Sequence, residues 1–329
     1  MRGHTIDLVT MLALALLVAS PPAAAQPHGT LPKVGVLVMG GPPTSPSPRG
    51  CIRQSLHDLG YVEGQTILFE YRYAKFQPER LPALAAELVQ LAPDVLFTSG
   101  TPAVRALHQA TTTIPIVVRT GHLLREGLIT NLARPGGNIT GMTYHDDELE
   151  GKRLALLKEA VPQIMRVAIL RGPHESSWGR ALPETFVVSA RALGIELHLM
   201  EVRTPDELEG AFATMAERRV DALAIGVDTM FIAHYHRIAE LAVTHRLPTI
   251  AAFEGFVARG GLLEYPPDTA AMCRRAATYV DKILKGAKVG ELPVERADTF
   301  SLRVNLKTAA ALGLALSPTF LFQVDEVIK

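Results

Sequence analysis

The chain has 329 residues, and its 33 Lys+Arg balance 33 Asp+Glu to a formal net charge of zero. With no basic run and no RNA-binding motif, nothing favours a nucleic-acid partner. Two cysteines, Cys51 and Cys273, are too few for a disulfide framework and lack the Cys-x-x-Cys spacing of a metal or redox site.

Residues 1–25 are set apart from the fold. Arg2 precedes a continuous apolar run, "LVTMLALALLVAS" (8–20), and Ala23-Ala24-Ala25 supplies the small residues for cleavage after Ala25. The run is shorter than the roughly 20 residues of a spanning helix, and no cysteine follows it closely. An export signal is therefore expected, in preference to an anchor or a lipoprotein. Removing those 25 of the 329 residues leaves 304, enough for two domains at about 150 each.

From Lys33 the pattern alternates. "KVGVLVMG" (33–40) is a strand running into a Gly-Pro-Ser loop, followed by a helix Ile52–Leu59, a turn "GYVEGQ" and a strand "TILFEYRYA" (66–74). "ERLPALAAELVQLA" (79–92) is helical, with Leu84, Leu88 and Leu91 on one face. "DVLFTSGTPAVRALHQA" (94–110) is a strand, a turn and a helix with Pro102 in its first turn, and "IPIVVR" (114–119) is the next strand. A Gly- and Asn-rich stretch, 125–147, contains "NITGMTY", read as an edge strand. A second series begins with helix Leu149–Ala160 and strand "RVAIL". It continues with a helix near Pro183–Leu193, "IELHLM", helix Pro205–Arg218, "DALAIGV", helix Phe231–His245 and "PTIAAF" (248–253). "GGLLEYPP", a long helix Thr269–Leu284, an extended "TFSLRVN" (299–305) and a short helical end complete the chain. Two βα series of similar build predict an α/β protein of two lobes, each a parallel sheet covered by helices.

In open parallel sheets, ligands bind beyond the carboxyl ends of the strands. The loops Met39–Ser47, Thr98–Pro102, Thr120–Leu123, Leu170–Ser177, Gly226–Met230 and Ala252–Gly255 then line one cleft between facing lobes.

Ser99 lies in Thr-Ser-Gly-Thr, not in a Gly-x-Ser-x-Gly elbow, and His108 sits two helical turns beyond it, so a catalytic triad is unsupported. No Gly-x-Gly-x-x-Gly or P-loop occurs, and the prolines of the first loop remove N–H donors that a phosphate needs. His234 and His236 are two apart on a helix and diverge, while His145, Asp146 and Asp147 read more simply as a helix start. No cofactor or metal is indicated. A ligand clamp remains. Ser99, Gly100 and Thr101 offer hydroxyl and N–H donors suited to a carboxylate. Arg119, Thr120, Gly121 and His122 offer further polar contacts. Asp228 is either the cap of the following helix or the partner of a ligand ammonium, and Glu254 carries the same ambiguity. Tyr144, Phe253 and Tyr265 offer apolar walls, and Met39 closes the first strand of the cleft.

These stretches resemble the ABC-transporter substrate-binding proteins of the periplasmic binding protein type I class, in the branch that includes aromatic amino acid binders. The likeness is carried by "LHDLGYVEGQTILFEYRYA", "SGTPAVRAL", "TTIPIVV", "GLITNLARPGGNITGMT", "LPTIAAFEGFVARGGLLEY" and "YVDKILKGAKVGELPVERADTFSLRVNLKTAAALGL", running from Lys33 to the end. The resemblance implies two Rossmann-like lobes joined by three hinge crossings, near Tyr144–Asp147, Leu262–Pro266 and Arg296–Leu302. The lobes are expected at 26–145 with 263–300, and at 146–262 with 301–329. It also implies a small-molecule ligand between the lobes, contacts from the Ser99-Gly100-Thr101 loop, Thr120 and Asp228, a permease of the inner membrane as partner, a periplasmic location and a monomer. A receptor-docking sensor and a secreted two-lobed hydrolase are the alternatives. The chain departs from the family near His122, where an acidic residue is expected, at Glu264, where a small one is, and at "RGPHESSWG". A charged ligand thereby stands beside an aromatic amino acid. In this fold the helices bearing Cys51 and Cys273 flank the same face, which opens a disulfide between them.

Overall fold

The computed structural model describes residues 31–42, 50–121, 123–144, 147–172, 182 and 184–329. The first lobe opens with β1 (Lys33–Val38), α1 (Cys51–Asp58), β2 (Leu68–Tyr73), α2 (Leu81–Gln90), β3 (Val95–Ser99), α3 (Thr101–Ala110), β4 (Ile116–Thr120) and β5 (Ile139–Thr143). The second contains α4 (Asp147–Ala160), β6 (Arg166–Arg171), α5 (Glu184–Ala192), β7 (Glu196–Glu201), α6 (Leu208–Glu217), β8 (Ala222–Ile225), α7 (Thr229–Ala233), α8 (Tyr235–Thr244), β9 (Thr249–Ala251) and β10 (Leu263–Glu264). The chain then returns to the first lobe for α9 (Thr269–Leu284) and β11 (Val294–Arg296). It ends in the second with β12 (Arg303–Asn305), α10 (Leu306–Ala311), α11 (Pro318–Phe322) and β13 (Glu326–Ile328).

The first sheet runs β11-β5-β4-β3-β1-β2 and is parallel throughout; the second runs β13-β12-β10-β9-β8-β6-β7, with only β10 and β12 antiparallel. Both have the doubly wound order whose direction reverses at one point, between β1 and β3 and between β6 and β8. Strand alternation explains the layers. In the first lobe Val36, Phe97, Val117 and Met142 face α1 and α9. Their neighbours Leu37, Leu96, Ile116 and Val118 face α2 and α3. The second sheet is sandwiched likewise, by α4, α5, α10 and α11 on one side and α6, α7 and α8 on the other.

Three details depart from the sequence reading. The segment Ile139–Thr143 is not at an edge: β11 pairs with it, and Gly141 (φ 126°) lies against the β4 backbone, where a Cβ would strike Val118. Leu263 and Glu264 belong to the second sheet, between β9 and β12, so the return passage begins at Tyr265 and not at residue 263. The helix expected over 231–245 is two helices that break at His234, whose φ of −110° and ψ of 18° lie outside the helical basin.

The second and third passages brace each other. Pro267 bridges Phe300, Asp268 N–H donates to the Thr299 carbonyl at 2.9 Å, and Ser301 N–H donates to that of Pro266 at 3.1 Å. A Cys51–Cys273 disulfide, with Cα atoms 5.7 Å apart, ties α1 to the returning α9.

Candidate functional site

Alternation along the strands decides what reaches the carboxyl ends of the first sheet. Two residues beyond Phe97, Val117 and Met142 stand Ser99, Arg119 and Tyr144, all on the face shared with α1 and α9. Ser99 and Arg119 are register partners, and Gly100 N–H donates to the Arg119 carbonyl at 3.3 Å. Gly100 (φ 84°) makes the left-handed turn that opens α3, and nothing lies within 4 Å of where its Cβ would be. Thr101 is buried, and its Oγ1 lies 3.2 Å from that of Thr120. This bond ties the starts of two loops together. No hydrogen bond involves the Ser99 hydroxyl among the described residues.

The second lobe meets this surface through Phe253. Its ring lies 6.1 Å from that of Tyr144 and packs on the first lobe's core, although Phe253 follows a strand of the second. Glu254 is exposed and pairs with Arg303 at 3.0 Å. Burial pushes the Arg119 guanidinium below its ordinary pKa, while Tyr144 and Glu254 pull it back up. The Arg119 Nε is fully buried without a hydrogen-bond partner.

Ser99, Gly100, Arg119, Tyr144, Phe253 and Glu254 therefore converge between the lobes, with Thr120 and Gly121 buried behind them. Other expected residues go elsewhere. Met39 is one position out of phase with Val38, so it points with Leu37 into the core beneath α2 and α3. Tyr265 stacks on Phe300 at 5.6 Å and belongs to the interlobe passages, not to the Tyr144–Phe253 wall. Asp228 is completely buried, accepts Met230 N–H at 2.8 Å as the cap of α7, and packs against Gly172. Of its two readings, the cap is the one on display. Glu264, where the sequence departs from the family, is buried inside the second lobe; it accepts Val257 N–H at 2.9 Å and pairs with Arg303 at 3.0 Å. His122, His145, Asp146, the loop "RGPHESSWG" from Pro173 onward and the export segment lie outside the described residues.

Two positions escaped the sequence reading. Arg153 on α4 is buried against Glu150 at 2.7 Å and donates to the carbonyls of Tyr265 (3.2 Å) and Ala252 (3.3 Å). It thereby holds the backbone on which Phe253 and Tyr265 are mounted. Arg303 gathers Glu254, Glu264 and Glu326, the last also at 3.0 Å. An arginine in a helix or a late strand reads as a solvated charge, and no local pattern marks Arg153 as buried or Arg303 as the centre of three carboxylates. Among the described residues no group of three or more His, Cys, Asp or Glu is arranged for a metal ion, and no helix is long and apolar enough to cross a membrane.

Comparison with known proteins agrees with this architecture. The chain is 24% identical over 263 residues to the tyrosine-binding protein of Clostridioides difficile, covering 79% of this chain and 75% of that one. A conserved domain protein from Vibrio cholerae superposes with a TM-score of 0.81 at 26% identity, covering 90% of this chain and 99% of that chain. The ABC domain from Streptococcus pneumonia in complex with L-Trp gives 0.82 at 22% identity, covering 91% and 100%. The two parallel-sheet lobes are those of the type I periplasmic binding fold. Residues 33–328 match the family model described as ABC transporter substrate binding protein, and with both lobes inside that match the chain belongs to the ABC transporter substrate-binding family.

Proposed function

We propose that the protein is the periplasmic substrate-binding component of an ABC importer. It captures a small polar metabolite between its lobes, without catalysis, and delivers it to a permease of the inner membrane. The observation that carries this reading is the meeting of Ser99, Arg119 and Tyr144 from one lobe with Phe253 and Glu254 from the other. Donors from the first lobe and apolar walls from both line a joint that three chain passages span, so a ligand bound there favours the closed arrangement of the lobes. The curated relative is named for tyrosine binding and one structural neighbour holds L-Trp. Both fit an amino acid or a related compound as ligand here.

The test is a thermal-shift screen of the chain lacking residues 1–25 against amino acids, small carboxylates, purines, pyrimidines and sugars. A ligand at about 100 times its Kd stabilises by about 2.7 kcal/mol, which is several degrees in Tm. A shift by one chemical class that Ser99→Ala weakens supports capture in the cleft. Silence across the whole screen overturns it.

A further inference from the structure

Charge bookkeeping at the cleft narrows the ligand class. Among the described residues, Arg119 forms no ion pair and no side-chain hydrogen bond. Its Nε is sealed from solvent without a partner, and the half-buried guanidinium stands at the carboxyl end of β4 with no described bond to its terminal nitrogens. A partly buried guanidinium without an anion is costly, and a planar fork of N–H donors matches a carboxylate in shape as well as in charge.

The described acids nearest this charge are engaged. Glu254 is bound by Arg303, and Asp228 is buried as the cap of α7. With both drawn to internal donors, neither described carboxylate stands unpaired to meet a ligand ammonium. Beside Arg119, the Ser99 hydroxyl and the start of the ten-residue α3 add donors of the same polarity. Pro102 removes one N–H from that first turn, which suits a singly charged planar group better than a phosphate. The rings of Tyr144 and Phe253 stand next to the charge.

We infer that Arg119 is the specificity-determining anion anchor of the cleft, and that the ligand is an organic acid with a flat or apolar body that needs no ammonium group. The assignment rests on the capture reading and names the substrate class for the same site.

The experiment is isothermal titration calorimetry with matched compounds: 3-phenylpropionate, L-phenylalanine and 3-phenylpropanamide, with hexanoate and hexanamide as the aliphatic pair. Each is titrated into wild type, Arg119→Gln and Arg119→Lys, with thermal unfolding as a check that the variants fold. At least one acid is expected to bind about 100-fold more tightly than its amide, a span typical of a desolvated charge pair. The phenyl acid is expected to bind no more weakly than phenylalanine. Arg119→Gln should erase the difference between acid and amide, and Arg119→Lys should restore part of it. Binding of phenylalanine about tenfold more tightly than the deaminated acid overturns the inference, because an ammonium is then required. Equal binding of acid and amide, or an Arg119→Gln variant within about threefold of wild type, overturns it as well and removes Arg119 from ligand recognition. In these cases capture itself stands. If neither acid binds while another class shifts Tm in the screen, the organic-acid assignment fails alone. If nothing binds in either assay, the capture reading fails with it.

Discussion

Removing the Cys51–Cys273 disulfide tests how the returning helix is held. The bridge closes a loop across a sequence separation of 222 residues that contains the whole of the second sheet except β12 and β13. The chain-entropy relation gives about 5 kcal/mol for a loop of that length, and measured effects more often fall at about 2–4 kcal/mol. α1 has only eight residues, and no side-chain hydrogen bond caps its start. It depends on α9 for its seat through Ile52, Leu56 and the bridge itself. For a chain of this size the Cys51→Ala/Cys273→Ala variant should lose roughly 5–10 °C in Tm relative to the oxidised protein. Replacing both cysteines avoids leaving a buried unpaired thiol. The assay is scanning calorimetry, with thiol titration of the unfolded, unreduced protein to count free sulfhydryls. Hydrogen exchange should show α1 and α9 losing protection before the second lobe does. A Tm within about 1 °C of wild type, or two titratable thiols in the native oxidised protein, refutes the reasoning.

Gly141→Ala should cost more than about 3 kcal/mol by urea unfolding, since it combines a forbidden backbone region with a collision against Val118. Arg153→Ala leaves Glu150 and the carbonyls of Ala252 and Tyr265 without their cation, and should cost about 3–5 kcal/mol in the same assay. Asp221 accepts Met165 and Arg166 N–H groups at 3.0 and 2.8 Å. Burial works against its ionised form, but these bonds and the Arg166 charge win and hold its pKa below the usual 3.8. Its folded pKa being depressed, the stability it adds is present above the unfolded pKa and lost as pH falls through the folded one. Asp221→Asn should therefore cost about 1–3 kcal/mol at pH 7 and progressively less as pH falls through the folded pKa, read as converging urea midpoints. Ser99→Ala should leave Tm unchanged without ligand while weakening ligand binding about five- to tenfold by calorimetry.

The fold was largely written in hydrophobic period, and the failures are informative. α9 occupies 269–284 as its pattern indicates, because Asp268 caps it by accepting Ala271 N–H at 2.8 Å and one apolar face covers the first sheet. β11 left no trace, since three residues, Val294-Glu295-Arg296, cannot display a period, and with it went the knowledge that Ile139–Thr143 is interior. The break at His234 has neither proline nor glycine to announce it. At the site, Ser99 and Tyr144 were legible from their positions at strand ends, whereas Met39 was misplaced by the phase of one residue. The roles of Arg119, Arg153 and Arg303 depend on partners more than 20 residues away, and local pattern carries no information at that range.

The seating of α9 and β11 on the first sheet also dictates when the molecule can fold. A growing chain that has reached Thr143 holds five of the six strands of that sheet, but one face, with Val117 and Met142, still lacks the helix that covers it. That helix is not available until residue 284. The second sheet waits longer, because β10 stays an open edge until β12 emerges. Contacts such as Tyr61–Asp281 and Thr140–Leu292 span 220 and 152 residues of sequence, and closing such long loops before any reward places this topology among the slow folders. Both halves thus reach completion together, within roughly the last 60 residues, and a chain stopped short of them exposes apolar surface on both sides of its cleft.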